Sequence, residues 1–112
     1  MRFLFLLHDD EEAVAAMTPE ERRAIVEEHM AFSARMREQG KLVLGEPLDG
    51  SGAVVRPGSD PLVTDGPFSA TKEAIGGIYV LDCASREEAL ELAAQMPPSP
   101  GLAIEVLTVA EM

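Results

Sequence analysis

Residues 18–40, TPEERRAIVEEHMAFSARMREQG, form the clearest element of the chain and organise what lies on either side. Thr18 is a capping residue, Pro19 suits the first helical position, and Glu21 stands three residues after the cap, which together make a helix start. Acidic side chains in the first turn also suit the helix dipole. The helix is predicted to run to about Gln39, where Gly40 adopts the left-handed stop. Ile25, His29, Phe32 and Met36 fall at i, i+4, i+7 and i+11, one inward stripe.

Strand patterns flank this helix on both sides. Before it, Arg2 to Leu7 is short, apolar and aromatic, as in a central strand covered on both faces. The apolar run stops at Leu7 and four acidic residues, Asp9 to Glu12, follow at once, so the segment reads as a strand rather than a signal peptide. Asp9 to Met17 reads as a loop or a single helical turn. After the helix, Lys41 to Gly45 reads as a strand. Ala53–Arg56 and Leu62–Thr64 flank Pro57-Gly58-Ser59-Asp60-Pro61 and make a hairpin. Gly76 to Leu81 is a buried strand preceded by a polar connection through Thr71, Lys72 and Glu73. Ser85-Arg86-Glu87-Glu88 is a second capping box, and its helix runs to about Met96 before Pro97-Pro98-Ser99-Pro100-Gly101 stops it. Ala103 to Val109 alternates as a last strand. Without the hairpin, the order is βαββαβ, the ferredoxin-like α+β arrangement: an antiparallel sheet with two helices on one face. A bare sheet face needs a cover, and a second copy is the economical one, so a homodimer is expected.

The chain has 112 residues, the size of a single domain spanning 1–112, and its 46% hydrophobic and 26% charged residues are an ordinary globular balance. Its formal net charge of −11 opposes binding to nucleic acid and to an anionic membrane surface. No apolar run approaches the roughly 20 residues that span a bilayer. Cys83 is the single cysteine, which excludes an internal disulfide and fits a reducing cytoplasm.

Few side chains here are suited to chemistry. His29 interrupts an apolar stripe, where it is either a core histidine satisfied by a carbonyl or carboxylate, or a general acid or base working near neutral pH. Asp65, in Thr64-Asp65-Gly66-Pro67-Phe68, is either a turn former or the carboxylate that fixes the His29 tautomer. Lys72 and Glu73 either hold a substrate oxygen or form an exposed ion pair. His8 stands beside Asp9 and Asp10, but no metal-ligand spacing is recognisable, so neither a metal nor another cofactor is expected. Cys83 reads as a packing residue, and Gly76-Gly77 lacks the lysine and following helix of a phosphate loop.

Val63-Thr64-Asp65-Gly66-Pro67-Phe68, Thr71-Lys72-Glu73 and Gly76-Gly77-Ile78-Tyr79 resemble the signature of the YCII-related family, in its DGPF-domain branch. Pro19-Glu20-Glu21, His29-Met30-Ala31-Phe32, Gly45-Glu46 and Ile104-Glu105-Val106 resemble the family pattern in order and distance, so the likeness spans nearly the whole chain. One departure is Leu7-His8-Asp9, where the family often has tyrosine and glycine. The resemblance implies a dimeric α+β barrel of ferredoxin-like protomers with His29 and Asp65 as the active-site pair. It also implies a cofactor-free enzyme that performs proton transfer, elimination (including dehydrochlorination) or isomerisation on a small organic molecule. Phe68, Lys72, Glu73 and His8 are then the candidate substrate-binding residues. The alternative is a non-catalytic binding or regulatory module, because genes of this branch often neighbour alternative sigma factors.

Overall fold

The structure is a computed structural model that describes residues 1–66 and 73–112, with the side chain of Glu73 not described. Its elements are β1 (Arg2–Asp10), α1 (Glu11–Ala15), α2 (Pro19–Glu38), β2 (Leu42–Pro47), β3 (Ala53–Arg56), β4 (Leu62–Asp65), β5 (Glu73–Asp82), α3 (Arg86–Ala94) and β6 (Ala103–Thr108). Four strands form an antiparallel sheet in the order β2-β5-β1-β6, and β3 pairs with β4 in a separate two-stranded sheet. With the hairpin set aside, this is the ferredoxin-like topology expected from the sequence.

The local signals act as read. Thr18 accepts from the Glu21 backbone N–H at 3.1 Å while the Glu21 side chain accepts from the Thr18 N–H at 3.2 Å. Gly40 takes φ 71° and ends α2. Ser85 caps α3 by accepting from the Glu88 N–H at 3.1 Å, but the expected second capping box is only half formed, because the Glu88 carboxylate accepts from the Ala84 N–H at 3.2 Å and not from that of Ser85. Two boundaries differ from the pattern by three residues, the others by one or two. β1 runs on through Asp9 to Asp10, and Asp10 then caps the short α1 through the Glu12 and Ala13 N–H groups. β5 begins at Glu73, because the extended β1 supplies partners for Glu73, Ala74 and Ile75 across a register shift between Leu7 and His8. Cross-strand pairing thus overrides the polar composition of that segment.

One core holds the two layers together. Phe3, Phe5 and Leu7 of β1 meet Phe32 and Met36 of α2, Tyr79 and Leu81 of β5, and Ala89 and Leu92 of α3. Both long helices therefore cover the same sheet face. On the opposite face Leu4, Leu6, Ile78 and Val80 are half-buried, and Leu44 and Leu107 are exposed. The molecule is only 19 Å deep along its shortest principal axis, the depth of one sheet and one helix layer. Its radius of gyration of 15.6 Å exceeds the roughly 13 Å of a compact domain of about this length. The β3–β4 hairpin contributes to this extended form. Every residue of β4 is exposed, including the apolar Leu62 and Val63.

Candidate functional site

A cavity of about 480 Å³ opens between α2, the ends of β1 and β2, and β5. Its walls are mainly apolar, with Val14, Met17, Val26, Met30 and Leu102 among them. Its polar residues are Arg22, His29, Ser33 and Arg37 of α2, Asp9 of β1, Glu46 of β2, Tyr79 of β5, and Ser99; His29 and Ser33 stand one turn apart. A mainly apolar concavity that carries polar groups is the usual composition of a small-molecule site.

Tyr79 organises this group. Its hydroxyl lies 2.9 Å from His29 Nδ1, and the Ser33 hydroxyl donates to the Tyr79 oxygen at 3.4 Å. The two rings also stack, with centroids 5.9 Å apart and planes at 24°. Phe32 holds the tyrosine ring edge-on at 5.5 Å. Gly45 makes room on the other side: a side chain there would bring Cβ to 2.8 Å from the tyrosine ring carbons. In the sequence Tyr79 falls on a strand and within the family signature but has no role marked, and Ser33 was not singled out; the i, i+4 spacing of His29 and Ser33 is the local signal that points to the cluster.

The tautomer sets the chemistry of His29. With the proton on Nδ1, the ring donates to the Tyr79 oxygen and leaves the Nε2 lone pair as a base. With Tyr79 donating to Nδ1, Nε2 carries the proton and is an acid. Burial pushes the His29 pKa below its usual value, opposed by the nearby carboxylates of Asp9 and then Glu28. The ring is therefore held neutral near physiological pH, as a proton acceptor requires. Asp9 shows the mirror effect: burial pushes its carboxyl up, opposed by His29 and then His8. The Tyr79 hydroxyl is also pushed up by burial, partly offset by its bond with Ser33, and stays protonated.

The candidates from sequence separate in space. His29 is in the cavity wall. Asp65 ends β4 opposite Ala53, exposed on the hairpin, and among the described residues no hydrogen bond or ion pair joins it to His29. His8 pairs with Glu105 of β6, Nε2 to Oε1 at 3.0 Å, and is not part of the described cavity lining. The backbone of Glu73 opens β5 opposite Asp10. Phe68 and Lys72 lie outside the described residues. No group of three or more His, Cys, Asp or Glu side chains that could hold a metal ion occurs among the described residues. Among the described residues no helix is long and apolar enough to cross a membrane.

The fold and cavity define a ferredoxin-like α+β protein with a histidine in the wall of an apolar cavity. The model of the YCII-related domain matches residues 1–112, and the chain belongs to that family. It is also similar to an uncharacterized protein of Rhizobium meliloti (strain 1021), 32% identical over 107 residues that cover 90% of this chain and 86% of the relative.

Proposed function

We propose that this protein is a cofactor-free enzyme that moves a proton on a small, largely apolar organic molecule, with His29 as the base. The observation that carries this reading is the His29–Tyr79 contact of 2.9 Å at the wall of an apolar cavity. A ring that is oriented through Nδ1 and kept neutral by burial presents Nε2 for proton removal. Elimination, dehydrochlorination and isomerisation all begin with that step, and a positioned base contributes ~10²–10⁴-fold to its rate.

In this reading the protein is of the DGPF branch and works in the cytoplasm, where its lone buried Cys83 stays reduced. Two copies pack on the bare sheet face, where Leu4, Leu6, Ile78 and Val80 lie half-buried. The exposed hairpin that carries Asp65 is the part of the protomer free to meet that second copy. A second reading, a non-catalytic ligand-binding or regulatory module, draws support from the net charge of −11, which suits a basic face on a transcription regulator.

The test is a screen of small phenols, lactones and 2-oxo acids in deuterated water, followed by proton NMR for solvent exchange and turnover. Wild type should exchange or convert a subset, and His29→Gln should lose at least ~10²-fold of that rate. Binding of panel compounds with no exchange in wild type, or full activity in His29→Gln, would refute the enzymatic reading and favour the regulatory one.

A further inference from the structure

The two arginines in the cavity wall are not equivalent. Arg22, near the start of α2, donates to the Val14 and Ala15 carbonyls at 3.0 and 3.5 Å, so its guanidinium is engaged by the end of α1. Arg37, in the last turn of α2, lines the cavity, and its side chain makes no hydrogen bond or ion pair with a described residue. The helix dipole favours any cation in that turn. Arg35 shares the turn, but it sits 5.3 Å over the Phe32 ring and is not part of the cavity wall. Acidic partners are plentiful, twenty against nine basic residues, yet the cation that faces the cavity is left without one.

Its place on the helix relates Arg37 to the chemistry. His29, Ser33 and Arg37 stand at i, i+4 and i+8, and all three line the cavity. Eight residues of helix are about 12 Å along the axis. Helical side chains lean toward the N-terminus, so the long Arg37 side chain leans back toward Ser33 and shortens that span. The acids of the wall lie elsewhere. α2 ends beside the start of β2, which pairs with Leu81, whereas Asp9 pairs with Ala74 at the opposite end of β5. Gly45 faces the Tyr79 ring, so alternation along β2 sends the Glu46 side chain to the other sheet face.

We propose that the cavity takes an organic carboxylate, with Arg37 as its anion anchor and the apolar body of the molecule lying along α2 toward His29. This names the substrate class for the enzymatic reading above and rests on the cavity being its site. A guanidinium presents a planar fork of donors that matches a carboxylate in two parallel hydrogen bonds. The volume of about 480 Å³ falls within the range of small-molecule pockets. Arg37 transfers no proton. It is a binding residue that selects acids over neutral molecules and sets which carbon comes within reach of His29 Nε2.

The test is calorimetric and NMR titration of wild type, Arg37→Gln and Arg23→Gln with phenylacetate, 3-phenylpropanoate and 4-phenylbutanoate, each beside its primary amide. Arg23 is an exposed arginine of α2 outside the cavity wall and controls for the loss of one surface charge. In wild type at least one acid should bind about 10-fold or more tightly than its amide, as one charge-assisted pair provides, and should shift the Arg37 side-chain ¹⁵N–¹H signal. Arg37→Gln should remove the preference, and Arg23→Gln should keep it. Amides bound as tightly as acids, a preference that survives Arg37→Gln or is equally lost in Arg23→Gln, or no binding of any acid would overturn the assignment. Turnover is not measured here. A preference for acids without proton exchange in the earlier screen therefore strikes the enzymatic reading alone, and proton exchange confined to neutral compounds strikes the carboxylate assignment alone.

Discussion

Replacing Tyr79 by phenylalanine isolates the hydroxyl that organises the cavity. The ring should stay where it is, because its packing comes from Phe32 at 5.5 Å, His29 at 5.9 Å and the space above Gly45. What disappears is the 2.9 Å contact to His29 Nδ1 and the weaker 3.4 Å bond from Ser33. A neutral hydrogen bond contributes about 0.5–1.5 kcal/mol net, and a buried partner left unpaired costs about 1–3 kcal/mol. His29 and Ser33 are only half-buried, so water reaches them and the loss belongs at the low end, about 1 kcal/mol. For a chain of this length that lowers Tm by about 4 °C. The distinctive effect is on the tautomer. With no hydroxyl at Nδ1, nothing selects between the two neutral forms, and ¹⁵N shifts of the ring should move toward a mixture. On the proposed enzymatic reading, turnover should fall by no more than the ~10²–10⁴-fold that a positioned base contributes. Calorimetry and ring ¹⁵N spectra on Tyr79→Phe and wild type check the argument. A Tm unchanged within a degree together with an unchanged tautomer would show that the hydroxyl does not organise His29, and the reasoning would fail.

Other perturbations address separate links. His29 has a folded pKa below its unfolded value of 6.5, so the unfolded state binds more protons between the two; stability should rise with pH through that window, level off above 6.5, and lose this dependence in His29→Gln when followed by urea unfolding. Asp9 acts in the opposite sense, since its raised pKa makes the folded state the better proton binder above 3.8; its contribution to stability should fall as pH rises through that range, and Asp9→Asn should remove the fall. Gly45→Ala places Cβ 2.8 Å from the Tyr79 ring and should cost about 1–3 kcal/mol while disturbing the His29 tautomer; equal stability in denaturant melts would contradict the packing described. Phe5→Ala, at a fully buried core position, should cost about 3–5 kcal/mol in the same assay. Leu6→Glu on the bare sheet face should convert a dimer to monomer in analytical ultracentrifugation; a wild-type protein that sediments as a monomer at high concentration would end the homodimer proposal.

The architecture was legible because its signals are local. Capping at Thr18 and Ser85, the stop at Gly40 and the alternation of β1 and β6 each rest on interactions within a few residues, and each is present in the structure. The start of β5 was not legible, since Glu73 to Ile75 become strand only through pairing with Asp10, Asp9 and His8 some 65 residues away. The site divides along the same line. His29 stood out as a polar residue on an apolar stripe, a pattern visible in one helix. Tyr79 and Asp9 carry no such mark.

What the sequence determined by itself was the set of elements, their order, the ferredoxin-like class and the single histidine worth attention, because hydrophobic period and capping chemistry act over one or two turns. What only the tertiary structure decided was the company His29 keeps. The sheet order β2-β5-β1-β6 brings Gly45, Tyr79 and Asp9 from three strands around one ring of α2, and Asp65 is carried off on the β3–β4 hairpin. Hydrogen bonds and desolvation depend on positions to within an ångström or so, and residues 20 to 50 positions apart reach that proximity only when the sheet register is set.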